Sequence, residues 1–130
     1  MQKQTINEIE INGIKYIPKD SVQTDQLAVN TDGLKAVLIR SRDAGVHFGY
    51  LKEEIFTGAG KVVVLVNTRR VWYWDGAASL SQMALEGVNK PQNCKFSVVL
   101  QENEIVNVIE TIPLTENAVN NLYKVAIWKQ

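Results

Sequence analysis

Cysteine and histidine are nearly absent from this sequence of 130 residues, which has one of each. A lone cysteine, Cys94, cannot form an internal disulfide, so we expect a reducing, cytosolic compartment and no disulfide scaffold. One histidine and one cysteine without ligand spacing predict no metal site, and nothing in the sequence predicts a cofactor. No apolar run approaches about 18 residues, so no spanning helix is expected. Residues 1–5 lack the apolar segment of a signal peptide.

Net charge is also absent, because 14 Lys and Arg residues balance 14 Asp and Glu residues. Bulk electrostatic attraction to nucleic acid or to anionic lipid is therefore not encoded. Hydrophobic residues make up 45% and charged residues 22%, which is typical of a globular protein and excludes a disordered chain or a fibre. The length fits one domain, which we divide into a hairpin over 1–20, a linker over 21–33 and a core over 34–130.

The pattern of hydrophobic residues predicts mostly strands. Ile9 and Ile11 alternate with glutamates before Asn12-Gly13, which is typical of a two-residue hairpin turn, and Pro18 ends this unit. Further strands are predicted over 34–40, 46–51, 61–67, 69–74, 96–100 and 105–112. Loops are expected at 52–60 and at the polar tip 101–104, and residues 125–128 are expected to close the chain as an edge segment or packed tail.

Helical spacing appears twice. Residues 77–88 place small and aliphatic residues on one face, with Gly87 suited to end the helix. Thr115 can cap a short helix over 116–123. The sequence thus predicts an α+β fold, in which a mostly antiparallel sheet of six to eight strands packs against one principal helix, followed by a short C-terminal helix.

Positive charge and aromatic residues are concentrated in the middle third. Residues 35–75 contain seven Lys and Arg against four acids, all four arginines and two of the three tryptophans. Arginine suits phosphate and carboxylate groups because its planar fork donates two parallel hydrogen bonds. If 69–74 is a strand, Arg70, Trp72 and Trp74 share one face, and Arg69 points the other way. Such a face can hold a nucleotide, with an indole on the base and a guanidinium on the phosphate. The alternative is that the tryptophans are core residues and Arg70 extends to solvent.

His47 lies on a predicted strand with Gly49 on the same face. The missing side chain at Gly49 allows something to approach the backbone closely, and His47 would then reach a ligand. The alternative is a histidine whose hydrogen bonds are satisfied at a strand end. The segment 75–81 opens the helix with small residues, which favours an anion at its N–H groups, although capping by Asp75 or Ser79 explains it equally. The candidate ligand-binding residues are Arg40, His47, Arg69, Arg70, Trp72, Trp74 and Asn93.

Catalytic constellations are lacking. Ser79 or Ser81 with His47 would need an orienting acid that no motif marks, and Glu53-Glu54 is a solvated pair. We therefore do not expect an enzyme.

One string, Arg-Arg-x-Trp-Tyr-Trp-x-Gly-Ala, occurs within residues 67–82. Together with residues 44–51, 86–88, 91–96 and 109–113, it resembles a family of small proteins of tailed bacteriophages and prophages whose role is unassigned. The chain is also similar to the anti-Thoeris sponge proteins, which bind cyclic ADP-ribose isomers without cleaving them. Some of these also hold cyclic oligonucleotides, and they are homo-oligomers with pockets between subunits.

This resemblance implies a phage anti-defence protein of the host bacterial cytoplasm that sequesters a cyclic nucleotide signal as a homo-oligomer. Its partner would be a small-molecule cyclic nucleotide, with no membrane and no expected nucleic acid. One alternative is a phage interaction or structural module without a small ligand, in which the aromatic residues form core or subunit interface. Another is single-strand nucleic-acid binding by the Arg and Trp face, against which the zero net charge argues.

Overall fold

Strands account for most of the regular structure in residues 26–129, which are the residues that the computed structural model describes. Their order along the chain is β1 (Ala36–Ser41), β2 (Gly45–Thr57), β3 (Gly60–Tyr73), α1 (Leu80–Glu86), a 3₁₀ turn (Pro91–Asn93), β4 (Lys95–Phe96), β5 (Leu100–Ile105), β6 (Val108–Pro113) and α2 (Glu116–Leu122). The predicted α+β class is confirmed. The predicted hairpin over 8–17 and the first part of the linker lie outside the described residues. Within residues 26–129, no helix is long and apolar enough to span a membrane.

All strand pairs are antiparallel. The sheet has the order β4-β3-β2-β1-β6, and β5 also pairs with β3, beside β4. Consecutive aliphatic and β-branched residues favour the long central strand β3, whose middle segment Val63, Val64 and Leu65 is buried.

The sheet curls because β5 and β6 are consecutive in the chain and pair with strands at opposite edges. In a flat sheet, the four spacings between β5 and β6 would separate them by about 19 Å. The connection consists of Val106 and Asn107 alone and reaches at most about 11 Å. It is fixed to the β1–β2 turn, since Ser41 Oγ donates to Val106 O at 2.7 Å and Arg42 N–H donates to Asn107 O at 3.0 Å.

Two hydrophobic clusters occupy the two faces of the sheet. On the enclosed face, the curl surrounds Val37, Ile39, Val63, Leu65 and Ile105. The opposite face packs against α1 and α2 around Phe48, Phe96, Met83, Leu114 and Leu122. A residue on β1, β2 or β3 therefore faces either the enclosed interior or the helices, and this alternation decides which side chains can meet.

Both helices have the expected caps but are shorter than the spacing predicts. Ser79 Oγ accepts the N–H of Gln82, Thr115 Oγ1 accepts the N–H of Ala118, and Gly87 ends α1 with a φ of 78°. The Cβ-free Gly87 also lies against the Asn121 side chain, where any larger residue would collide.

The loop predicted over 52–60 is wrong, because these residues extend β2 and β3 into a long hairpin that turns at 58–59. The hairpin extends beyond both neighbouring strands, so its polar residues stay in water, and the Lys61 ammonium lies 2.7 Å from a Glu54 carboxylate oxygen. The predicted strands 61–67 and 69–74 are one strand with a bulge, at which Asn67 has a φ of 49°.

The polar tip predicted at 101–104 is also wrong. Residues 101–104 belong to β5, where a solvent-facing strand accepts polar side chains, and the turn falls at Val106 and Asn107. In the described half of the predicted linker, Ala28 is buried and Ala28 N–H donates to Leu114 O, so this segment packs on the domain. The C-terminal residues form an edge segment as predicted, with Ile127 bridged to Phe96.

Gly49 allows a close approach, as its pattern predicts, but the approaching group is the neighbouring strand. A Cβ at this position would lie 2.8 Å from Thr68 Cβ and 3.0 Å from Thr68 Cα. The backbone of β3 therefore occupies the space that the sequence suggested for a ligand.

We expect Gly49→Ala to lower the free energy of unfolding by about 1–3 kcal/mol, because the added methyl group must displace the β3 backbone. Urea denaturation measures this change. Gly58→Ala is the matched control, since nothing lies within 4 Å of a Cβ there, and it should change the stability by less than about 0.5 kcal/mol. Equal stabilities of the two variants would contradict the close packing at Gly49.

Candidate functional site

The outer edge of β3 is interrupted at Arg69 and Arg70. β5 pairs with β3 as far as Thr68↔Leu100, and β4 begins at Val71↔Phe96. Between them, residues 97–99 leave the ladder and open a gap. Arg70 N–H donates to Ser97 Oγ at 2.7 Å and Ser97 N–H donates to Arg70 O at 2.9 Å, which holds the detour in place.

A cavity of about 260 Å³ lies at this gap. We call it the arginine cavity. It is lined by His47, Thr68, Arg69, Arg70, Trp72, Ser97, Val98, Leu100 and Asn103. Two of these side chains are guanidinium groups and none is a carboxylate, so the lining selects for negative charge.

Arg69 is almost fully buried, with 1% of its surface exposed. Its Nε donates to Ser97 O at 2.7 Å, and its Nη1 donates to Leu122 O at 3.1 Å and to Val125 O at 2.8 Å. The guanidinium carbon lies 5.4 Å from the centre of the Phe96 ring. Burial lowers the pKa of Arg69. Its Nη2 is buried without a hydrogen-bond partner, and in residues 26–129 no carboxylate pairs with this charge.

Arg70 lies on the other face of β3, directly opposite His47 in the β2–β3 register. Its guanidinium carbon lies 5.2 Å from the centre of the Trp72 ring, which is a cation–π contact. The Nε of Arg70 is buried and, like Nη2 of Arg69, has no hydrogen-bond partner. Buried donors normally have partners, and both residues with an unpartnered guanidinium nitrogen, Arg69 and Arg70, line the arginine cavity.

His47 is 1% exposed and faces the enclosed interior with Ile39, its register partner on β1. Its Nε2 lies 2.8 Å from Ala44 O, and since a carbonyl only accepts, this nitrogen carries the proton. Burial lowers the pKa of His47 below 6.5; the hydrogen bond to Ala44 raises it in part, and the Arg70 charge lowers it further. The imidazole is therefore neutral at physiological pH.

Trp72 is the exposed aromatic residue of the site, with 58% of its surface in solvent. Between Val71 and Tyr73 the pairing with β4 shifts, so the strand bulges at Trp72 and turns its indole outward. Besides the arginine cavity, Trp72 lines a cavity of about 340 Å³ beside Asp43 and Gly45.

Three predicted site residues lie elsewhere. Arg40 faces away from His47 and pairs with Glu110, with Nε 2.9 Å from the carboxylate oxygen. Trp74 does not share the face of Arg70, because the bulge at Trp72 reverses the alternation. It packs against the helix-side cluster, and its Nε1 donates to Ala77 O at 3.3 Å.

Asn93 lies in the 3₁₀ turn, where its Nδ2 donates to Asp75 Oδ2 at 2.9 Å. At the start of α1, capping is the alternative that the side chains support. The side chain of Ser79 accepts from Gln82 N–H, and the side chain of Gln82 accepts from Ala78 N–H, so ordinary capping accounts for this segment.

Sequence reasoning missed the second half of the cavity lining, which comes from residues 97–103. The sequence predicts a continuous strand over 96–100, whereas the chain leaves its pairing with β3 between Phe96 and Leu100. Ser97, the one polar residue in that run, is the signal that marks the detour. In the described segment, no group of three His, Cys, Asp or Glu residues is placed to hold a metal ion.

One protein-family model matches this chain over residues 34–122, more than half of its length, and is described as a domain of unknown function, DUF6948. Every residue of the arginine cavity lies within the matched range. No curated protein and no solved structure matches the chain.

His47 gives a specific pH dependence of stability. The unfolded chain binds a proton at about pH 6.5 and the folded chain only at lower pH. The free energy of unfolding should therefore be at its full value above about pH 6.5 and decrease as the pH falls through the lowered pKa of His47. Urea denaturation between about pH 7.5 and about pH 5.5 measures the slope. His47→Gln, whose amide can still donate to Ala44 O, should flatten it, and an unchanged slope would contradict the buried neutral imidazole.

Arg69→Met should lower the free energy of unfolding by at least about 3 kcal/mol, because three buried carbonyl groups lose their donor. Arg42→Met is the control, because Arg42 is exposed. Within residues 26–129, its side chain pairs only with Asp43. It should change the stability by less than about 0.5 kcal/mol. Thermal and urea unfolding measure both, and a mild effect of Arg69→Met would show that the buried guanidinium is dispensable.

Proposed function

Since this chain belongs to the DUF6948 family, whose function is unknown, we propose from the site itself that the protein binds and sequesters a small anionic ligand with a planar ring, of the nucleotide class. The observation that carries this proposal is the pair of arginines, Arg69 and Arg70, in the lining of a cavity without a carboxylate, each with one guanidinium nitrogen that has no partner. Phosphate oxygens are strong acceptors and match the guanidinium fork.

A planar ring follows from the position of Trp72. Its exposed indole lies beside Arg70, so a ligand whose anionic group meets Arg70 can place a ring against the indole. Stacking on an exposed aromatic side chain is the usual way in which proteins hold a base without reading its identity.

The hydroxyl groups and the imidazole favour binding over turnover. Thr68 Oγ1 donates to Phe48 O, Ser97 Oγ donates to Val98 O, and the protonated Nε2 of His47 points to a carbonyl. No nucleophile is paired with a base among the cavity residues, so the site has donors for an anion and no evident means of cleaving it.

The resemblance described above narrows the proposal. On that basis, the ligand is a cyclic nucleotide immune signal such as a cyclic ADP-ribose isomer or a cyclic oligonucleotide. The protein would be a phage anti-defence protein in the host bacterial cytoplasm that acts as a homo-oligomer.

Isothermal titration with purified protein tests this function. The panel contains cyclic ADP-ribose isomers, cyclic di- and trinucleotides, AMP and NAD, with adenosine to remove the phosphate. We expect binding of at least one phosphate-containing ligand and recovery of that ligand unchanged. Arg70→Gln should weaken it about tenfold to 100-fold, because a charge-assisted hydrogen bond is lost.

Arg40→Gln is the matched control, because Arg40 faces away from His47 and pairs with Glu110. It should bind as the unchanged protein does. Equal affinity of Arg70→Gln and Arg40→Gln, both folded, would overturn the site, and conversion of the ligand would overturn sequestration.

A second candidate function is an interaction module without a small ligand. It is favoured by three consecutive exposed aliphatic side chains, Val98, Val99 and Leu100, of which Val98 and Leu100 line the mouth of the gap in the outer edge of β3. An exposed apolar patch of this kind often marks a protein interface. Absence of binding across the panel, together with a stable oligomer in sedimentation, would favour this function.

A further inference from the structure

Besides the cavity beside Asp43, Trp72 lines two cavities that contain a cationic side chain and no carboxylate. The first is the arginine cavity, and the second is a cleft of about 430 Å³ lined by Trp72, Tyr73, Lys95 and Trp128. We call the second one the aromatic cleft. A side chain that forms a wall of both cavities can contact one extended ligand on two sides.

Exposed aromatic side chains are concentrated at the aromatic cleft. Four are exposed in residues 26–129, namely Phe56, Trp72, Tyr73 and Trp128, and three of these line the cleft. Large aromatic side chains left in water at one concave place indicate a planar partner, because stacking recovers the surface that the fold leaves unburied.

Trp128 is fixed in position although it lies near the end of the chain. Its backbone N–H donates to Phe96 O at 2.9 Å, and the preceding Ile127 forms a parallel bridge with Phe96. The Lys95 ammonium lies 5.3 Å from the centre of the Trp128 ring. The cleft is thus built by backbone contacts and a cation–π contact before any ligand arrives, which lowers the entropy cost of binding.

Like the arginine cavity, the aromatic cleft favours an anionic ligand. Lys95 supplies its charge, and its lining includes no carboxylate. Both cavities therefore hold cations next to Trp72 in their lining, with Arg69 and Arg70 in one cavity and Lys95 in the other. A ligand with an anionic centre flanked by planar groups would use both.

From the common wall at Trp72, we infer that the aromatic cleft is a second planar-group subsite, so the ligand class is one with two planar rings joined by an anionic phosphate link. This inference rests on the proposed function and specifies its ligand. The first ring and the link occupy the arginine cavity, and the second ring lies against Trp128.

The test compares ligands with one ring and two. Affinities for AMP, for the linear dinucleotide pApA and for cyclic di-AMP are measured by isothermal titration with unchanged protein and with Trp128→Ala. Phe56→Ala is the matched control, because Phe56 is 76% exposed on the β2–β3 hairpin and lines neither cavity. We expect at least one two-ring ligand to bind about tenfold or more tightly than AMP. Trp128→Ala should remove that advantage and leave AMP binding unchanged, and Phe56→Ala should change neither.

Three results would overturn the inference while the proposed function stands. The unchanged protein could bind AMP and both two-ring ligands with equal affinity, or Trp128→Ala could bind the two-ring ligands within twofold of the affinity of the unchanged protein. The third result is that Trp128→Ala loses the same factor of affinity for AMP as for the two-ring ligands. Absence of binding by every phosphate-containing ligand would instead overturn the proposed function, and the second subsite with it.

Discussion

The buried guanidinium of Arg69 is the interaction on which the rest of the structure depends. It donates to carbonyl oxygens of three segments: the outer-strand detour at Ser97, the end of α2 at Leu122 and the tail at Val125. Burying a charge without an anionic partner is costly, and the cost is offset here because carbonyl dipoles replace water. The side chain thus acts as a clamp between the sheet edge and the C-terminal segment.

The contacts of Arg69 that stabilise the fold also determine the shape of the arginine cavity. The detour at residues 97–99 is what lets the Arg69 Nε reach Ser97 O, and the same detour opens the arginine cavity. Arg70, one residue further on, points to the opposite face and meets His47 and Trp72. Two adjacent arginines therefore have different tasks. Arg69 holds the sheet edge and the C-terminal segment together, and Arg70 carries a less buried charge that lies against Trp72.

The sequence predicts the fold class and most strands because hydrophobic alternation reflects local backbone geometry. It also selects His47, Arg69, Arg70 and Trp72 as candidate ligand-binding residues, and the pairing of β2 with β3 brings these four into the lining of one cavity. It fails for Trp74 and for the polar tip at 101–104. The bulge at Trp72 and the pairing of β5 depend on which strand lies alongside, and no local pattern encodes that neighbour. The sequence does not reveal that Ser97 and Asn103 line the cavity, for the same reason. They reach it only because β5 and the residues before it lie alongside β3.

The curl of the sheet has a consequence for how the protein is made. The edges of β1 and β3 are covered by β6 and β5, which follow them by a long stretch of chain, and such long-range pairing carries an entropy cost that local hairpins avoid. The β2–β3 hairpin can form early, as soon as β3 has left the ribosome. The Arg69 clamp must wait for Val125 to be synthesised. During translation, the contacts of Arg69 are therefore completed only in the last stage, and a truncated chain that ends within α2 would carry Arg69 without the Val125 carbonyl group.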